Sequence, residues 1–462
     1  MLVNILFRAA VVSAHPAILQ NTQVAVVNLG SSTGSPKHLA SGLLYGVPVQ
    51  QDQIPDHFYE DMGFNYLRAG GTHLPDGNGG RGWITGLEDY QIRMDSAISN
   101  LKTCQKYGAN FNLLIADIWG DDAGQAADSK YPGDDGDWSD YDAFLTKVIS
   151  DIKSNGPTTG LTIDIWNEPD YGTVFWNRTQ EQFLDMWGWG YARLRKELPE
   201  VPLLGPSTAY YPGLDNTWWT KFAAYVKSNN SIPDEWVWHM ELGYGDMETT
   251  TEDLYAVLDT YDLPRRPVNI NEYATAPEQT PVFTAWWIAQ LERVNARGLR
   301  GVWVSAAQVF DLFGGLISKP NADNDNYDPE AGGYYPTGEY QVYKYYNRNM
   351  TGNRVATTAS SDRTVDAYAT VNNGHAKILF GSRSVSDTAF IKVNDISCLG
   401  LPESGTLDIK IWAFPFPNGR FGEVNAPVDH GWGQQNYTGN SATFPVYPQD
   451  DVTAYAFEIG AK

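Results

Sequence analysis

The sequence predicts a (β/α)8 TIM barrel over residues 36–350, followed by an antiparallel β-sandwich over residues 351–462. Three observations lead to this fold class. The chain has 462 residues, which suits one large barrel with a small companion domain. Eight short apolar runs alternate with helical patterns in the first part, as they do in βα units. After about residue 350, apolar and polar residues alternate at period two.

The predicted barrel strands are short apolar runs that end in turn or loop residues. They lie at residues 42–47, 65–69, 110–116, 161–166, 202–205, 236–240, 267–271 and 301–305. Helices are predicted at 88–107, from Thr179 onward and at 252–261. Thr179 with Gln182 three residues later forms a capping-box pattern, which marks a helix start. The apolar residues that follow recur at spacings of three and four, which predicts one helix face on a core.

The last 110 or so residues predict an antiparallel β-sandwich. Residues 365–370, 375–380, 407–412 and 452–459 alternate at period two and are separated by Gly, Asn, Asp and Pro turns. Residues 22–35 precede the barrel and begin with a strand-like run at 22–29. We therefore expect this N-terminal segment to pair with the C-terminal sheet.

The N-terminus and the glycosylation sequons predict a secreted, extracellular glycoprotein. Residues 1–14 resemble a signal peptide, with an apolar run and a small-residue site before His15. Arg8 interrupts that run, and no basic segment precedes it. Asn-x-Ser/Thr sequons begin at four asparagines, which are Asn177, Asn229, Asn349 and Asn436.

The composition excludes several classes of partner. With 32 basic against 55 acidic residues the net charge is −23, which argues against nucleic acid and anionic membrane surfaces. No later apolar run is long enough to predict a membrane span. The two cysteines, Cys104 and Cys398, cannot form a disulfide framework or a four-cysteine metal site, and buried thiols are expected. Aromatic residues make up 13% of the chain, more than a core requires.

Two glutamates lie where predicted barrel strands run out into loops. Glu168 follows the fourth strand, in Trp-Asn-Glu-Pro, and Glu272 follows the seventh, in Asn-Ile-Asn-Glu-Tyr. Barrel enzymes carry their catalytic residues at these strand ends. Glycoside hydrolysis needs one protonated and one ionised carboxyl group, so this pair predicts a glycosidase site. The alternative for each glutamate is a solvated loop position or an ion pair with arginine.

At these residues the chain resembles the glycoside hydrolases of clan A and is most similar to glycoside hydrolase family 39, which includes β-xylosidases. The Trp-Asn-Glu-Pro motif at residues 166–169 carries the resemblance, together with Arg68 on the second strand, Gly205-Pro206 at the end of the fifth and the C-terminal β-domain. Because Trp-Asn-Glu-Pro is specific for the clan rather than the family, families 5, 30 and 79 remain open.

The resemblance implies a retaining enzyme in which Glu168 is the acid/base and Glu272 the nucleophile, with carboxyl groups about 5–5.5 Å apart. It also implies that Asn167 hydrogen-bonds the sugar 2-hydroxyl and that Arg68 keeps the nucleophile ionised. The alternatives are a turn-forming asparagine before proline and a buried Arg–Asp pair.

Two strands depart from the family pattern. The sixth-strand His of the family is usually followed two residues later by Tyr, whereas His239 is followed by Glu241, and Tyr244 is the nearest tyrosine. His239 and Tyr244 are still candidates for substrate binding, and a core histidine is the alternative for His239. Glu241 is a third carboxylate at the mouth, either a rim residue or a rival for the assigned roles. The eighth strand carries Trp303 but lacks an acidic loop directly after it.

Aromatic side chains in loops after the strands are predicted to stack on sugar rings, whose C–H faces are apolar. The candidates include Trp119 and Tyr210, with Trp303 on the eighth strand; loop packing is the alternative. Aspartates at 134–137 and 323–328 do not fit the calcium-loop pattern. Retaining hydrolysis by two carboxylates requires no metal and no cofactor, and none is predicted.

The sequence thus predicts a retaining β-glycosidase that acts on a neutral oligo- or polysaccharide of the xylose or glucose type. The predicted loops are poor in Lys and Arg, which favours a neutral sugar over a uronic acid. Two alternatives remain. One is a clan A hydrolase acting on a β-glucan or a uronic-acid glycan, and the other is a non-catalytic carbohydrate-binding barrel.

Overall fold

The computed structural model describes residues 23–72, 80–121, 128–305, 307–383 and 387–460. The predicted signal peptide at residues 1–14 lies outside these ranges. Strand β1 (Val24–Gly34) comes first, and a closed barrel of eight parallel strands follows it. The barrel strands are β2 (Gly42–Leu44), β3 (Tyr66–Ala69), β4 (Asn110–Leu114), β5 (Leu161–Asp164), β6 (Leu203–Thr208), β7 (Glu235–Trp238), β8 (Val268–Tyr273) and β9 (Arg297–Arg300).

Helices lie between the strands and cover the barrel. They are α1 (Asp56–Met62), α2 (Leu87–Lys106), α3 (Ile115–Trp119), α4 (Ser139–Ser154), α5 (Gln180–Glu197), α6 (Thr217–Ser228), α7 (Met247–Thr260) and α8 (Pro281–Val294). The predicted start of α5 is confirmed, because the Thr179 side chain accepts from the Gln182 backbone N–H. The Gln182 side-chain amide donates to Pro132 O and to Asp134 Oδ1, which ties the start of α5 to the preceding loop.

The predicted eighth strand at 301–305 is wrong, because the strand that closes the barrel is β9 (Arg297–Arg300), paired with β8 and β2. Because β9 contains two arginines, it does not form an apolar run and was not predicted as a strand. Arg300 is nevertheless buried, and its guanidinium donates two hydrogen bonds of 2.6 Å to the Glu339 carboxylate. This bidentate pair compensates the charge that burial would otherwise make costly.

Several other predicted strands, including those at 42–47 and 110–116, extend past their observed ends. The run at 42–47 ends as a strand at Leu44, because Tyr45 takes a left-handed conformation with φ +52°. The run at 110–116 ends at Leu114, where α3 begins directly. Both ends matter for the site, since the residues after these strands turn into the barrel mouth.

Beyond the barrel strands lie a short hairpin and a helix, β10 (Ile317–Ser318), β11 (Tyr335–Pro336) and α9 (Gly338–Arg348). The C-terminal strands follow as β12 (Asn353–Thr358), β13 (Val365–Asn372), β14 (His375–Ser382), β15 (Ala389–Asn394), β16 (Gly405–Phe414), β17 (Val428–Tyr437), β18 (Ser441–Val446) and β19 (Ala454–Ile459). Together with β1 they form one nine-stranded sheet in the order β17-β16-β19-β14-β13-β12-β1-β15-β18.

This sheet is a mostly antiparallel domain beside the barrel, as the sequence predicts. Strand β1 pairs antiparallel with β12 and parallel with β15, so the N-terminal segment lies inside the C-terminal sheet. Consecutive strands β17 and β18 lie at opposite ends of the strand order, and a bridge between Thr438 and Ser441 closes the turn that joins them. The sheet therefore curls back and encloses its own apolar core.

Helix α8 joins the two domains. It is buried on nearly all sides and packs against β13 and β14. A Cβ at Gly381 on β14 would come 2.0 Å from the Trp286 backbone nitrogen, so only glycine allows this close approach. The Gln290 amide and the Arg293 guanidinium of α8 both donate to the buried Asp366 carboxylate.

The described helices include none that is long and apolar enough to cross a membrane. Both cysteines are free thiols. Cys104 is buried as expected, whereas the expected burial of Cys398 is wrong because this residue is exposed.

Candidate active site

A cavity of about 540 Å³ opens at the carboxyl ends of the barrel strands, a size that suits a small ligand. Its walls bring together several residues that the sequence singles out, namely Arg68, Asn167, Glu168, Glu241, Glu272 and Trp303. These residues come from five different strand ends or following loops, since Asn167 and Glu168 both follow β5. The cavity therefore exists only once the barrel is closed.

Arg68, at the third residue of β3, is fully buried and anchors the floor of the cavity. Its Nη1 donates to Glu272 Oε1 at 2.5 Å, and its Nη2 donates to Asn167 Oδ1 at 2.7 Å. Its Nε donates to Asp164 Oδ2 at 3.0 Å. Burial of a guanidinium is strongly destabilising unless carboxylates and hydrogen-bond acceptors compensate its charge, as they do here. Both predicted partners of Arg68, the nucleophile candidate and a buried aspartate, are thus present.

Asp164, the last residue of β5, holds this network in place. Its carboxylate also accepts from Ser207 Oγ at 2.8 Å and from Asn271 Nδ2 at 2.7 Å. Sequence analysis missed this aspartate because it lies inside an apolar strand, where a buried anion carries no distinctive local pattern.

Glu168 follows β5 in a left-handed backbone conformation with φ +38°. Such a conformation costs a residue other than glycine about 1–3 kcal/mol and occurs often at functional sites. The Glu168 N–H donates to Ser207 O at 2.8 Å and holds the turn. Burial raises the pKa of Glu168 to about 7, although the nearby Arg68 charge acts in the opposite direction. The carboxyl group therefore stays protonated up to about neutral pH, as a general acid requires.

His239 lies fully buried between the two candidate carboxyl groups. Its Nδ1 shares a hydrogen bond of 2.8 Å with Glu168 Oε1 and lies 3.8 Å from Glu272 Oε2. Burial lowers the pKa of His239 to about 4, against the opposing effect of Glu272, so the ring is neutral above that pH. His239 was predicted to bind substrate, but its ring is not part of the cavity wall. It contacts the carboxyl groups instead.

One carboxylate oxygen of Glu168 and one of Glu272 lie within 4.8 Å of each other. The two groups sit in different surroundings. Glu272 accepts a charge-assisted hydrogen bond from Arg68, whereas Glu168 is desolvated and faces a neutral imidazole. The burial that favours the protonated form of Glu168 makes this residue the candidate for the acid.

Glu168, His239 and Glu272 are also close enough together to hold a metal ion. Glu168 Oε1 and His239 Nδ1 are already hydrogen-bonded to each other, and Glu272 Oε1 accepts from Arg68. A cation bound there would also be repelled by the buried guanidinium of Arg68, which contacts Glu272. This donor set fits proton transfer between hydrogen-bonded groups better than metal coordination.

Asp170 is a positioning residue that sequence analysis did not identify. Its carboxyl oxygens accept from the backbone N–H groups of Ala209 and Tyr210, at 2.8 and 3.1 Å, and so tie the loops after β5 and β6 together. Burial raises the pKa of Asp170 to about 7, while the two backbone hydrogen bonds act against the rise.

A second polar group lines the cavity beside β2 and β4, and sequence analysis also missed it. The Tyr45 hydroxyl donates to the Asp117 carboxylate and accepts from the Gly70 N–H at 3.1 Å. Arg93 Nη2 lies 3.5 Å from the same carboxylate. The left-handed backbone conformation at Tyr45 directs its side chain into the mouth of the barrel. No local sequence motif predicts this conformation.

The predicted aromatic platform is only partly present. Trp303 and Tyr171 line the cavity and are about 43% and 42% exposed. Trp119 was predicted to bind substrate, and this is wrong, since α3 turns its ring into the core against Tyr141 and Phe144. Trp176, Trp219 and Tyr273 are buried in the same way, so much of the aromatic excess is core.

Tyr210 and Tyr244 are exposed but lie outside the cavity wall. The Tyr210 ring sits 6.2 Å from that of Tyr171, which places it next to the opening. The Tyr244 ring packs 5.4 Å from that of Tyr211. Glu241, rather than Tyr244, reaches the two candidate carboxyls from the end of β7.

The acidic loop at 134–137 has a structural role. Asp134 accepts from Arg178 Nε at 2.6 Å and from the Tyr131 N–H at 3.0 Å. This ion pair satisfies the carboxylate in the loop between α3 and α4.

Comparison with protein-family models and with curated proteins finds no match for the sequence. Solved structures do match over nearly the whole chain. A protein from Neocallimastix frontalis superposes with a TM-score of 0.74 at 19% identity, covering 96% of this chain and 100% of its own. A glycoside hydrolase family 39 enzyme from Xanthomonas axonopodis pv. citri gives 0.58 at 12% identity, covering 96% and 98%.

A third match is a monomeric β-xylosidase from Caulobacter crescentus, with a TM-score of 0.56 at 13% identity, covering 95% of this chain and 99% of its own. At these identities the similarity is one of fold. The protein thus has the barrel and β-domain architecture of family 39 and related clan A glycoside hydrolases, as the sequence resemblance implies.

Proposed function

We propose that the protein is a retaining glycoside hydrolase that cleaves β-glycosidic bonds in a neutral, xylose- or glucose-type oligo- or polysaccharide. One observation carries this proposal. Two carboxyl groups with oxygens within 4.8 Å of each other sit in one cavity, one protonated near neutral pH and the other paired with a guanidinium. Inverting enzymes hold their carboxyl groups about 6.5–9.5 Å apart to admit a water, and retaining enzymes hold them closer.

In the first step Glu168 protonates the glycosidic oxygen while Glu272 Oε2 attacks the anomeric carbon. Oε2 is suited to this role because Oε1 is engaged with Arg68. The aglycone leaves with the proton of Glu168, and a glycosyl ester forms on Glu272.

In the second step Glu168, now ionised, takes a proton from water, and the resulting hydroxide attacks the anomeric carbon. The ester bond to Glu272 breaks, and the carboxylate returns to its hydrogen bond with Arg68. Two displacements at one carbon restore the β-configuration.

Asn167 fits the role of a sugar-binding residue beside the acid/base. Its Oδ1 accepts from Arg68, so the amide orientation is fixed and the NH2 group remains to donate to a sugar hydroxyl. We assign this contact to the 2-hydroxyl, which lies next to the reacting carbon.

The charges of the cavity support a neutral sugar. The guanidiniums among its described lining residues are Arg68 and Arg93, and both face carboxylates of the protein. A uronate would need a cation whose charge is not already balanced. The β-xylosidase from Caulobacter crescentus shows that this fold can carry a xylose-type activity.

A panel of 4-nitrophenyl β-glycosides tests the proposal. We expect hydrolysis of the β-xyloside or the β-glucoside and none of the β-glucuronide. Faster turnover of the glucuronide would overturn the neutral-sugar assignment. Sugar binding without turnover of any glycoside would favour the non-catalytic barrel and overturn the proposed activity.

A further inference from the structure

Glu241 is a third carboxyl group in the cavity, and hydrolysis by two carboxyls leaves it without a role. It follows β7 by three residues and shares the cavity wall with Glu168 and Glu272. Its side chain is within hydrogen-bonding reach of the Glu272 carboxylate. Two carboxylates in such contact cannot both be ionised without strong repulsion.

The charges around Glu241 decide which group holds a proton. Arg68 is the cation that faces this cluster, and it already contacts the two carboxylates of Asp164 and Glu272. His239 adds no positive charge above about pH 4. An ionised Glu241 would therefore add a further buried negative charge with no cation to balance it.

The surroundings of the Glu241 carboxyl also disfavour an anion. Its Oε1 is buried, and no N–H or O–H group within the described part of the chain donates to it. The oxygen packs against Gly301, where a Cβ would come within 2.2 Å of it. Glycine at this position, directly after β9, makes the room that the carboxyl occupies.

We propose that Glu241 is held as a neutral carboxylic acid and donates its proton in a hydrogen bond to the Glu272 carboxylate, so that it positions the nucleophile. This inference rests on the proposed function for the role of Glu272. Burial, followed by the charges of Glu272 and Glu168, raises the pKa of Glu241 well above its usual range, against the effect of Arg68. Glu241 is a positioning residue because it acts through Glu272.

The proton stays on Glu241 throughout the reaction. In the free enzyme its O–H donates to the Glu272 carboxylate, and in the covalent intermediate it donates to the carbonyl oxygen of the ester. The same hydrogen bond stabilises the carboxylate that departs in the second step. Loss of the proton at alkaline pH removes the donor and places an anion next to the nucleophile, so the rate falls as pH rises.

The test compares variants in a Glu168→Gln background, which removes the titration of the acid/base. The substrate is a 2,4-dinitrophenyl β-glycoside, whose leaving group departs without protonation, and kcat/KM is measured from about pH 6 up to the alkaline limit at which the variants stay folded. We expect Glu168→Gln to lose activity on the alkaline side. The double variant with Glu241→Gln, which keeps a donor at every pH, should lack that alkaline loss.

A Glu241→Met double variant lacks any donor and should be about 10- to 100-fold slower than the Glu241→Gln one, since a hydrogen bond to a charged group is lost. Equal rates for these two variants would overturn the proposal. An alkaline loss that persists with Glu241→Gln would also overturn it. Thermal unfolding of each variant shows whether it is folded.

An infrared measurement tests the proton on Glu241 without turnover and separates this inference from the proposed function. At about pH 7 the difference spectrum between Glu168→Gln and its double variant with Glu241→Gln should show the loss of one carboxylic-acid C=O band, while Asp170, whose pKa is raised to about 7, contributes equally to both spectra. An unchanged band would overturn the inference even in an active enzyme. If Glu241→Gln removes the band but the protein hydrolyses no glycoside, the inference that Glu241 is protonated stands and the hydrolase assignment is rejected.

Discussion

Glu272→Gln should lower kcat on an aryl β-glycoside by about 10⁴-fold or more, because the amide cannot form the covalent intermediate. Glutamine keeps the size of the side chain and can still accept from Arg68 Nη1. We therefore expect the variant to bind sugar and to remain folded. Initial-rate kinetics and a sugar-binding titration on the same preparation measure the two properties.

Rescue of a smaller variant checks that Glu272 is the nucleophile rather than a supporting residue. Glu272→Ala with azide should yield a glycosyl azide of α-configuration, since the azide attacks from the face that the carboxylate occupied. Glu252→Gln, at an exposed position on α7, is the matched control and should retain activity. A Glu272→Gln enzyme with more than a few per cent of the wild-type rate would contradict the assignment.

Glu168→Gln should slow glycosides with poor leaving groups by about 10²- to 10⁴-fold, because their departure needs a proton. With a dinitrophenyl glycoside, the rate of the first step should fall far less, because this leaving group departs without a proton. Proton donation also sets a pH dependence. Since the pKa of Glu168 is raised to about 7, its acid form prevails below that pH, and kcat/KM for poor leaving groups should fall as pH rises through about 7.

The pH profile of the Glu168→Gln enzyme is the control for this assignment. With a poor leaving group it should lose the fall near neutral pH that the wild type shows. An equal loss of rate for good and poor leaving groups would show that Glu168 does not donate the proton.

The sequence could predict the two main carboxyl groups because each follows an apolar run at a strand end. Barrel geometry then requires such residues to meet at one face. The Trp-Asn-Glu-Pro motif and Arg68 added the partners, and the structure brings Arg68 into contact with both Glu272 and Asn167. Local pattern and barrel symmetry determine where a strand end lies, whereas the partners Arg68 and Asn167 were implied by the resemblance to family 39.

Other features depend on contacts between distant residues and leave no local pattern. Tyr45 meets Asp117 across 72 positions of sequence, and Arg300 on β9 needs Glu339 on α9 to make its burial acceptable. Trp119 was predicted to lie in a loop, but it belongs to α3, which begins directly after β4. In each case a tertiary partner or a backbone turn overrides the local preference of the sequence.

The anomeric configuration of the first product tests the proposed mechanism most directly. Proton NMR follows the anomeric signal immediately after an aryl β-glycoside is hydrolysed, before mutarotation mixes the anomers. With Glu168 and Glu272 oxygens within 4.8 Å of each other, the account predicts that the β-anomer appears first. The α-anomer appearing first would show inversion and contradict the double displacement by Glu272.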